Sequence, residues 1–318
     1  MDSTPLARLE TLDGYRQHFM DAALWRPCVT GVCRAHGWTC ERVRPGVAGT
    51  FPTFLVDEAR VVKFFGPLFD GATCLKVEYE AAQRMAAVPE VPIARLLAEG
   101  TLAGTAGWGY LVFEFVEGVS IGEVYAQVGF EDRLALARWL GGWMRRMHAV
   151  EVRGETALPS LGLERMSGWF SLRWPEDRQK WPVRLAAGVR EYLQENAAFI
   201  QSGDGCFIHA DLTLDHVLGM LEDGRWTTRA VIDFGDAMRG NLYYELAALH
   251  LDLFDCDRRL LAAFLEGYGL DPDPDFARKA MATTLLHQFD VYGHLFAWKP
   301  ELGKARTLEE LARWLWEV

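Results

Sequence analysis

Two short stretches in the second half of the chain place acidic and histidine side chains directly after apolar runs. His209, Asp211 and His216 follow the run CFI, and Asp233 follows VI in the segment AVIDFGDAMRGN. Because burying an ionised carboxylate without a partner is costly, these acids indicate a metal ion, a cationic partner or a tuned pKa. A His-x-Asp motif with a second histidine five residues later, followed by Asp-Phe-Gly, has the form of a catalytic loop and metal-binding aspartate for phosphoryl transfer.

Phosphoryl transfer also needs a fixed cation to neutralise charge on the transferred group. Lys63 is the candidate, because apolar neighbours on both sides in VVKFF place it on a predicted strand. Glu80, seventeen residues later on a predicted helix, is its expected ionic partner. Glu78 on the same helix is a competing candidate, and Glu80 could instead pair with Arg84 one helical turn further on.

Two further segments could hold a nucleotide. Gly46, Gly49 and Thr50 lie in the loop GVAGT, whose backbone N–H groups could cover phosphates. Two glycines before a hairpin are as common without a ligand, so that pattern alone leaves both readings open. The apolar strand at 110–116 offers the backbone groups of Glu114 and Val116 to an adenine edge.

The apolar pattern predicts a β-rich first third and a helical remainder, in which these residues must be positioned. The predicted elements are helices at 5–37, 73–87 and 131–149, and hairpins at 51–65 and 217–232. Thr73 is the expected cap of the second helix, and Asp57-Glu58 and Asp223-Gly224 are the expected hairpin turns. We therefore expect an α+β chain with two parts, 1–116 and 117–318.

Composition limits the classes of function. The chain has 318 residues, of which 50% are hydrophobic and 24% charged, as is typical of globular proteins. Its 44 acidic and 33 basic side chains give a net charge of −11, opposite in sign to that of most nucleic-acid binders. No apolar run approaches the roughly 18 residues of a membrane-spanning helix, and no secretory signal is visible. We expect a cytoplasmic monomer with reduced cysteines that binds neither nucleic acid nor membrane.

Several motifs match one known family. They are Val-Val-Lys63, Glu80, Tyr-Leu-Val-Phe-Glu114, His209-Ala-Asp211-Leu and Ile-Asp233-Phe-Gly-Asp236. With these motifs the chain resembles, over most of its length, the aminoglycoside phosphotransferase family of antibiotic kinases, and within it the hygromycin B phosphotransferases.

The resemblance implies a bilobal protein-kinase-like fold, with a small β-rich N-terminal lobe and a larger helical C-terminal lobe, and ATP and Mg²⁺ as cofactors. Lys63 and Glu80 would hold the α- and β-phosphates, Asp211 would be the catalytic base and Asp233 a metal ligand. The implied acceptor is a small hydroxylated molecule, expected to be a cationic aminoglycoside antibiotic such as hygromycin B. Its phosphorylation would add negative charge and confer resistance.

The chain departs from the family pattern at two positions. His216 stands where the family usually has the asparagine that is the second metal ligand, and Ala210 replaces the commoner glycine. A neutral imidazole can also bind a divalent cation, and macrolide phosphotransferases resemble this chain in tolerating histidine there. Asp236 is expected either to help bind a cationic substrate or to stabilise its own loop.

Other functions are compatible with the same residues. One alternative is a macrolide or metabolite kinase on the same scaffold, and another is a pseudokinase that binds nucleotide without catalysis. A metal-dependent hydrolase could use the two histidines and two aspartates of the opening motifs, but would leave Lys63 and Glu80 unused. Acidic residues at 252–257 and 271–275 are available for a polycationic acceptor.

Overall fold

The computed structural model describes residues 5–47, 49–88, 92–103, 105, 107–200 and 205–318. The chain divides into two compact units. The first comprises Met1–Val119, Val217–Met220 and Thr227–Asp236, and the second comprises Ser120–His216, Leu221–Trp226 and Ala237–Val318. The first unit is thus discontinuous in sequence. The functional division into 1–116 and 117–318 stays a prediction, and nothing in the apolar pattern indicated that residues near 230 belong with the first hundred.

The first unit combines helices with an antiparallel sheet. Its elements are α1 (Leu12–His18), α2 (Ala22–Ala35), β1 (Val43–Pro45), β2 (Thr53–Val56), β3 (Arg60–Phe65), α3 (Gly71–Ala86), β4 (Leu96–Thr101) and β5 (Gly109–Glu114). Among the described residues the strands form a five-stranded sheet of order β1-β2-β3-β5-β4. Because β3 lies at its centre, the residues of β3 are hydrogen-bonded on both sides, to β2 and β5.

The hairpin predicted at 51–65 is confirmed. Strands β2 and β3 pair antiparallel, with Thr53 opposite Lys63. Asp57 and Glu58 form the turn with φ angles of 52° and 51°, as tight hairpin turns require. The Asp57 carboxylate also accepts hydrogen bonds from the backbone N–H groups of Glu41 and Arg42, which ties the turn to the chain before β1.

The predicted helix at 5–37 is interrupted. A short 3₁₀ turn, Pro5–Leu9, precedes α1, and α1 ends at His18. Asp21 then caps α2, because its carboxylate accepts hydrogen bonds from the N–H groups of Ala23 and Leu24. The apolar stripe continues across this break, which is why periodicity alone predicted one helix. Trp25 of α2 is fully buried and stacks on Phe64 of the sheet, with ring centroids 4.5 Å apart.

The expected cap of α3 is wrong. The helix begins at Gly71, and the residue before it is Asp70, which has a φ of 52° and no side-chain capping hydrogen bond. Thr73 is therefore inside the first turn. Gly71 lies so close to the backbone of Gly66 that a Cβ there would be 2.2 Å from the Gly66 carbonyl oxygen. This close approach requires glycine at the first residue of the helix.

The remaining elements are helical apart from short strands. In chain order they are β6 (Val119–Ser120), α4 (Ile121–Val124), α5 (Phe130–His148), α6 (Leu163–Asp177), α7 (Val183–Glu195), β7 (Cys206–Ile208), β8 (Val217–Glu222), β9 (Arg225–Val231), β10 (Met238–Gly240), α8 (Leu242–Ala248), α9 (Arg258–Tyr268), α10 (Phe276–Thr284), α11 (Val291–Trp298) and α12 (Leu308–Trp316). The α+β class and the predicted helix near 131–149 are confirmed. The second hairpin is also confirmed, with Asp223 and Gly224 at its turn.

Helices α5 and α9 of the second unit pack closely through two glycines. A Cβ at Gly141 would be 2.2 Å from the carbonyl oxygen of Phe264, and one at Gly267 would be 2.1 Å from that of Arg138. The backbones are therefore nearer than side chains would allow. This close packing fixes the position of α5 against α9. The last turn of α5 carries His148.

Of the helices in the described part of the chain, none is both long and apolar enough to span a bilayer.

Candidate functional site

Lys63 lies at the centre of an acidic cluster in the first unit. Its Nζ is 2.7 Å from Oδ1 of Asp233 and 2.8 Å from Oε2 of Glu78. Strand β3 carries the lysine, α3 carries Glu78, and the segment after β9 carries Asp233. Lys63 and Glu78 are only 7% and 3% exposed, so both charges are buried and each depends on the other.

The expected pairing of Lys63 with Glu80 is wrong. Glu78 forms that ion pair, and Glu80 binds Arg84, whose Nη2 lies 2.6 Å from Glu80 Oε1. The physical reason is the helix period. Residues two apart lie about 200° apart around an α-helix, so Glu78 and Glu80 face different neighbours.

The electrostatics of the cluster follow from burial and from its two acids. Burial opposes the charged form of Lys63, but Asp233 and Glu78 together raise its pKa above the ordinary value. Burial raises the pKa of Glu78 to about 7, against the lowering effect of Lys63, and the charge of Asp233 adds to the rise. The lysine therefore stays protonated, and burial works against the stabilisation that Lys63 gives to the Glu78 carboxylate.

The glycine loop lies beside this cluster. A Cβ at Gly49 would be 3.9 Å from Oδ2 of Asp233. Gly46 donates its N–H to the Thr53 carbonyl, 2.8 Å away, which continues the sheet pairing. The Thr50 carbonyl accepts a 2.7 Å hydrogen bond from the Tyr15 hydroxyl, which comes from α1. Ala48, between the two glycines, lies outside the described residues.

Asp233 has a backbone conformation unusual for its residue type, with a φ of 64°. Its Oδ1 also accepts the N–H of Gly235 at 3.4 Å, and its side chain is about one third exposed. A Cβ at position 235 would be 3.3 Å from Asp233 Oδ1 and 3.4 Å from Glu78 Oε2. Because Gly235 has no side chain, the carboxylates of Asp233 and Glu78 both have room beside it.

The residues predicted to meet an adenine edge are at the end of the central sheet. Glu114 is the last residue of β5, and its N–H donates to the Arg95 carbonyl at 2.8 Å. Its carboxylate pairs with the Arg95 side chain at 3.2 Å. A backbone contact from Glu114 to a base would therefore use its carbonyl. Val116 follows beyond the end of the strand.

Asp236 lies in the first unit and is half-buried. Its charge raises the pKa values of Glu78 and, after burial, of the Cys74 thiol, so it lies near α3. Its expected contribution to substrate binding stays a prediction.

In the second unit, β7 leads into the loop that carries Asp211. Glu245, fully buried on α8, accepts hydrogen bonds from the N–H groups of His209 at 2.5 Å and Ala210 at 3.0 Å. His209 is also fully buried, and its Nδ1 accepts the N–H of Asp211 at 3.3 Å. His209 thus stabilises the loop that presents Asp211.

His216 is oriented by the same loop. Its Nδ1 lies 2.5 Å from the Asp211 carbonyl oxygen, which can only accept a hydrogen bond, so Nδ1 carries the proton. In the neutral ring, Nε2 is then the basic nitrogen. Metal-binding histidines commonly donate their other N–H to a carbonyl in this way. The side chain therefore fits a ligand role for a divalent cation.

The acidic runs expected to attract a polycation are largely engaged within the protein. Asp252 accepts the N–H of Leu214 at 2.9 Å and so supports the loop before His216. Four of the others form ion pairs, namely Asp255 with Lys299, Asp257 with Arg259, Asp273 with Lys279, and Asp275 with Arg278. Their expected attraction of a polycationic acceptor stays a prediction.

Sequence reasoning missed His148, which supports the loop through Glu245. Its Nε2 is 3.5 Å from Glu245 Oε1, and its Nδ1 is 2.8 Å from the Tyr268 hydroxyl. Burial lowers the pKa of His148, but Cys206 and Glu245 more than compensate and raise it well above the ordinary value. The only sequence signal was a histidine in the last turn of a helix, where surface cations are common.

Within the described ranges, no group of three or more His, Cys, Asp or Glu side chains is placed to hold a metal ion. The hydrolase alternative would depend on four protein ligands, His209, Asp211, His216 and Asp233. A nucleotide-bound Mg²⁺ is different, because phosphates and waters supply most of its ligands and one or two protein groups suffice. Asp233, with its partly exposed carboxylate, fits that smaller requirement.

Comparisons with known proteins identify a family and a fold. A profile of the phosphotransferase enzyme family (APH) matches residues 44–281. The GDP complex of wild-type aminoglycoside 2′-phosphotransferase-IIIa superposes with a TM-score of 0.68 at 21% identity, covering 92% of this chain and 98% of that one. For spectinomycin phosphotransferase APH(9)-Ia with ADP and spectinomycin, the TM-score is 0.56 at 12% identity, with 89% and 96% covered. The expected kinase-like fold is confirmed.

One curated relative is a larger protein. The chain is 21% identical to lysine-specific demethylase JMJ21 of Arabidopsis thaliana over an alignment that covers 66% of this chain and 29% of the relative. The chain thus spans less than a third of that protein's length.

Proposed function

Because the chain belongs to the phosphotransferase enzyme family, we propose that it transfers the γ-phosphoryl group of ATP to a hydroxyl group of a small molecule. The observation that carries the proposal is the position of Lys63 Nζ, between Asp233 Oδ1 at 2.7 Å and Glu78 Oε2 at 2.8 Å. A strand lysine paired with a helix glutamate, beside the aspartate of an Asp-Phe-Gly segment, is the set of groups that protein kinases use for phosphoryl transfer.

The first unit supplies the nucleotide-binding groups. Glu78 holds the Lys63 ammonium extended, so that it can neutralise charge on the α- and β-phosphates. Gly49, beside Asp233, lets backbone N–H groups approach those phosphates without a side chain in the way. Glu114 and Val116 contribute backbone groups to the base.

The second unit supplies Asp211, which orients the acceptor hydroxyl and accepts its proton during transfer. Glu245 and His209 hold its loop rigid through the hydrogen bonds described above. The residues that we assign as Mg²⁺ ligands are Asp233 in the first unit and His216, through its Nε2, in the second. The ion, when bound with the nucleotide, would supply neutralisation of charge on the phosphates.

We propose a cationic aminoglycoside such as hygromycin B as the acceptor, and a resistance function in the cytoplasm. The net charge of −11 favours a cationic substrate. Kinases of this fold have been crystallised with kanamycin and with gentamicin. Because their identity to this chain is 21% or less, they support the acceptor class and leave the individual molecule to experiment.

A macrolide or metabolite is the second candidate for the acceptor. The observation that favours it is His216, which occupies the position where most aminoglycoside kinases have asparagine and macrolide kinases tolerate histidine.

The proposed function is tested by ATP consumption with Mg²⁺ across a panel of aminoglycosides, macrolides and small hydroxylated metabolites. We expect turnover with an aminoglycoside and a phosphorylated product detectable by mass spectrometry. Asp211→Asn should abolish transfer while nucleotide still raises the melting temperature. Turnover confined to a macrolide would select the second candidate. No turnover with any acceptor, or transfer by the Asp211→Asn variant near the wild-type rate, would overturn the assignment.

His216→Asn separates an enzyme from a pseudokinase. If His216 is a working ligand, the substitution lowers kcat or leaves it within a fewfold of wild type. A large gain of activity in the variant would show that the natural chain binds nucleotide with little catalysis.

A further inference from the structure

Ala210, the residue before Asp211, has a backbone conformation that alanine rarely adopts. Its φ is 68°, in the left-handed region, and the residue is fully buried. For a residue with a Cβ, this region is strained, and such a conformation persists only where the surroundings impose it. Any relaxation of Ala210 toward negative φ would rotate the next peptide group and move the Asp211 side chain.

Both peptide groups of Ala210 are held by buried side chains. Its N–H donates to Glu245 Oε2 at 3.0 Å, and its carbonyl oxygen lies 3.4 Å from His287 Nε2. Glu245 comes from α8, whereas His287 lies in the segment between α10 and α11. The two contacts fix the residue from opposite ends, so rotation about either bond of its backbone breaks one of them.

The protonation of His287 suits this contact. Its Nδ1 accepts a hydrogen bond from the backbone N–H of Phe289, with 3.3 Å between the two nitrogens. In the neutral ring the proton is therefore on Nε2. Burial lowers the pKa of His287 to about 4, which keeps the ring neutral in ordinary buffers. Nε2–H therefore donates to the Ala210 carbonyl.

His287 is itself positioned by rigid neighbours. Its ring stacks on Tyr244, with centroids 4.5 Å apart. The Arg173 side chain donates to the carbonyl oxygens of Leu285 at 2.9 Å and His287 at 3.1 Å, which holds the segment in place. The donor nitrogen thus has a defined location.

We propose that Glu245 and His287 clamp Ala210 in its left-handed conformation, and that His287 is a positioning residue that aims Asp211 at the acceptor hydroxyl. The inference rests on the proposed function, because it gives Asp211 the catalytic base role. It adds a residue far along the chain that no motif of the catalytic loop includes.

The test compares two substitutions of His287. His287→Phe keeps a ring that can stack on Tyr244 but removes the donor, whereas His287→Gln keeps an N–H donor. We expect His287→Phe to lower kcat about ten- to hundredfold with little change in the KM for ATP, because a misplaced base costs rate more than binding. His287→Gln should retain most of the activity.

A matched control is available in the same unit. His250 is also fully buried, and its Nε2 lies 2.8 Å from the Leu315 carbonyl oxygen. His250→Phe removes an equivalent buried hydrogen bond and should lower the melting temperature without lowering kcat. If it lowers kcat as much as His287→Phe does, general destabilisation explains the effect and the clamp is refuted.

Ala210→Gly provides a second test, because glycine adopts positive φ without strain. In the His287→Phe background it should restore a large part of kcat, although the melting temperature stays low. Failure to restore kcat, or full activity of His287→Phe alone, would overturn the clamp while the proposed function stands. If the wild-type chain transfers no phosphate, the proposed function fails instead. The clamp then still predicts that the change in the free energy of unfolding caused by Ala210→Gly differs between the His287→Phe background and the wild type, because His287 and the backbone strain at position 210 are coupled.

Discussion

The ammonium of Lys63 lies 2.8 Å from the carboxylate of Glu78, and this contact joins the central strand of the sheet to α3. Asp233 Oδ1, at 2.7 Å, completes a cluster in which one cation serves two anions. The cluster is buried, so each charge is stabilised chiefly by the others rather than by water.

Glu78 and Glu80 offer a matched pair of substitutions on one helix. Glu78→Gln should lower kcat/KM for ATP about a hundredfold, because Lys63 loses the anion that holds it extended. Glu80→Gln, which affects only the ion pair with Arg84, should change it less than about twofold. Steady-state kinetics with varied ATP measures both. An equal loss of kcat/KM in the two variants would show that the ion pair between Glu78 and Lys63 does not determine the use of ATP.

The Tyr15 hydroxyl should contribute to nucleotide binding through the glycine loop. Tyr15→Phe removes its hydrogen bond to the Thr50 carbonyl, which is worth about 1 kcal/mol, so we expect the KM for ATP to rise about fivefold. Tyr192→Phe is the control, because the buried Tyr192 hydroxyl has no hydrogen-bond partner among the described residues. The KM for ATP of that variant should equal the wild-type value, and an unchanged KM in Tyr15→Phe would contradict the prediction.

Stability should fall in mild acid because of buried neutral histidines. Burial lowers the pKa of His250 to about 4, whereas the unfolded chain has the ordinary value near 6.5. Between these values the unfolded state binds a proton that the native state does not, so the free energy of unfolding decreases as pH falls from 6.5 to 4. The loss from this residue is at most about 3 kcal/mol.

Urea unfolding of wild type and His250→Phe at several pH values measures the contribution of His250 to the free energy of unfolding. The variant starts less stable at pH 7, and the difference should shrink toward pH 4 because only the wild type loses the contribution of His250. Parallel curves over that range would show that His250 does not titrate as its burial implies.

Two adjacent glycines on α5 should respond in opposite directions to alanine. Gly141→Ala would put a Cβ 2.2 Å from the Phe264 carbonyl oxygen, so α5 and α9 must separate at a cost of about 1–3 kcal/mol or more. At Gly142 the nearest atom is 3.7 Å away, and alanine should stabilise the helix by up to about 1 kcal/mol. Chemical denaturation of the two variants compares them directly. A stable Gly141→Ala protein would mean that the helices can part freely.

Most of the fold could be predicted from local signals. Alternation of apolar residues and the Asp57-Glu58 turn located the hairpin that carries Lys63, and helical periodicity located α5. The break at Asp21 was missed because an apolar stripe can continue across two helices. The start of α3 was missed because Thr73 is a common capping residue, whereas the helix begins two residues earlier without a side-chain cap.

The site residues that belong to sequence motifs could be predicted. Those that are distant in sequence and come into contact only in the folded chain could not. Lys63, Asp211 and Asp233 belong to recognisable segments. The choice between Glu78 and Glu80 depends on how α3 is rotated about its axis. The sequence around the two residues does not indicate that rotation. His148 and His287 support the loop before Asp211 from distant positions, and neither lies near a motif.

The interrupted course of the first unit has a consequence for biosynthesis. The backbone N–H of Val231 donates to the Pro92 carbonyl at 3.0 Å, and Asp233 follows two residues later beside Lys63. A ribosome that has added residue 119 has therefore made the five strands of the sheet. It has made neither the segment that pairs with Pro92 nor the second acid for the lysine. More than a hundred further residues must be synthesised before the first unit is complete. Until then the unit is an incomplete lobe that a chaperone or a bound nucleotide could stabilise.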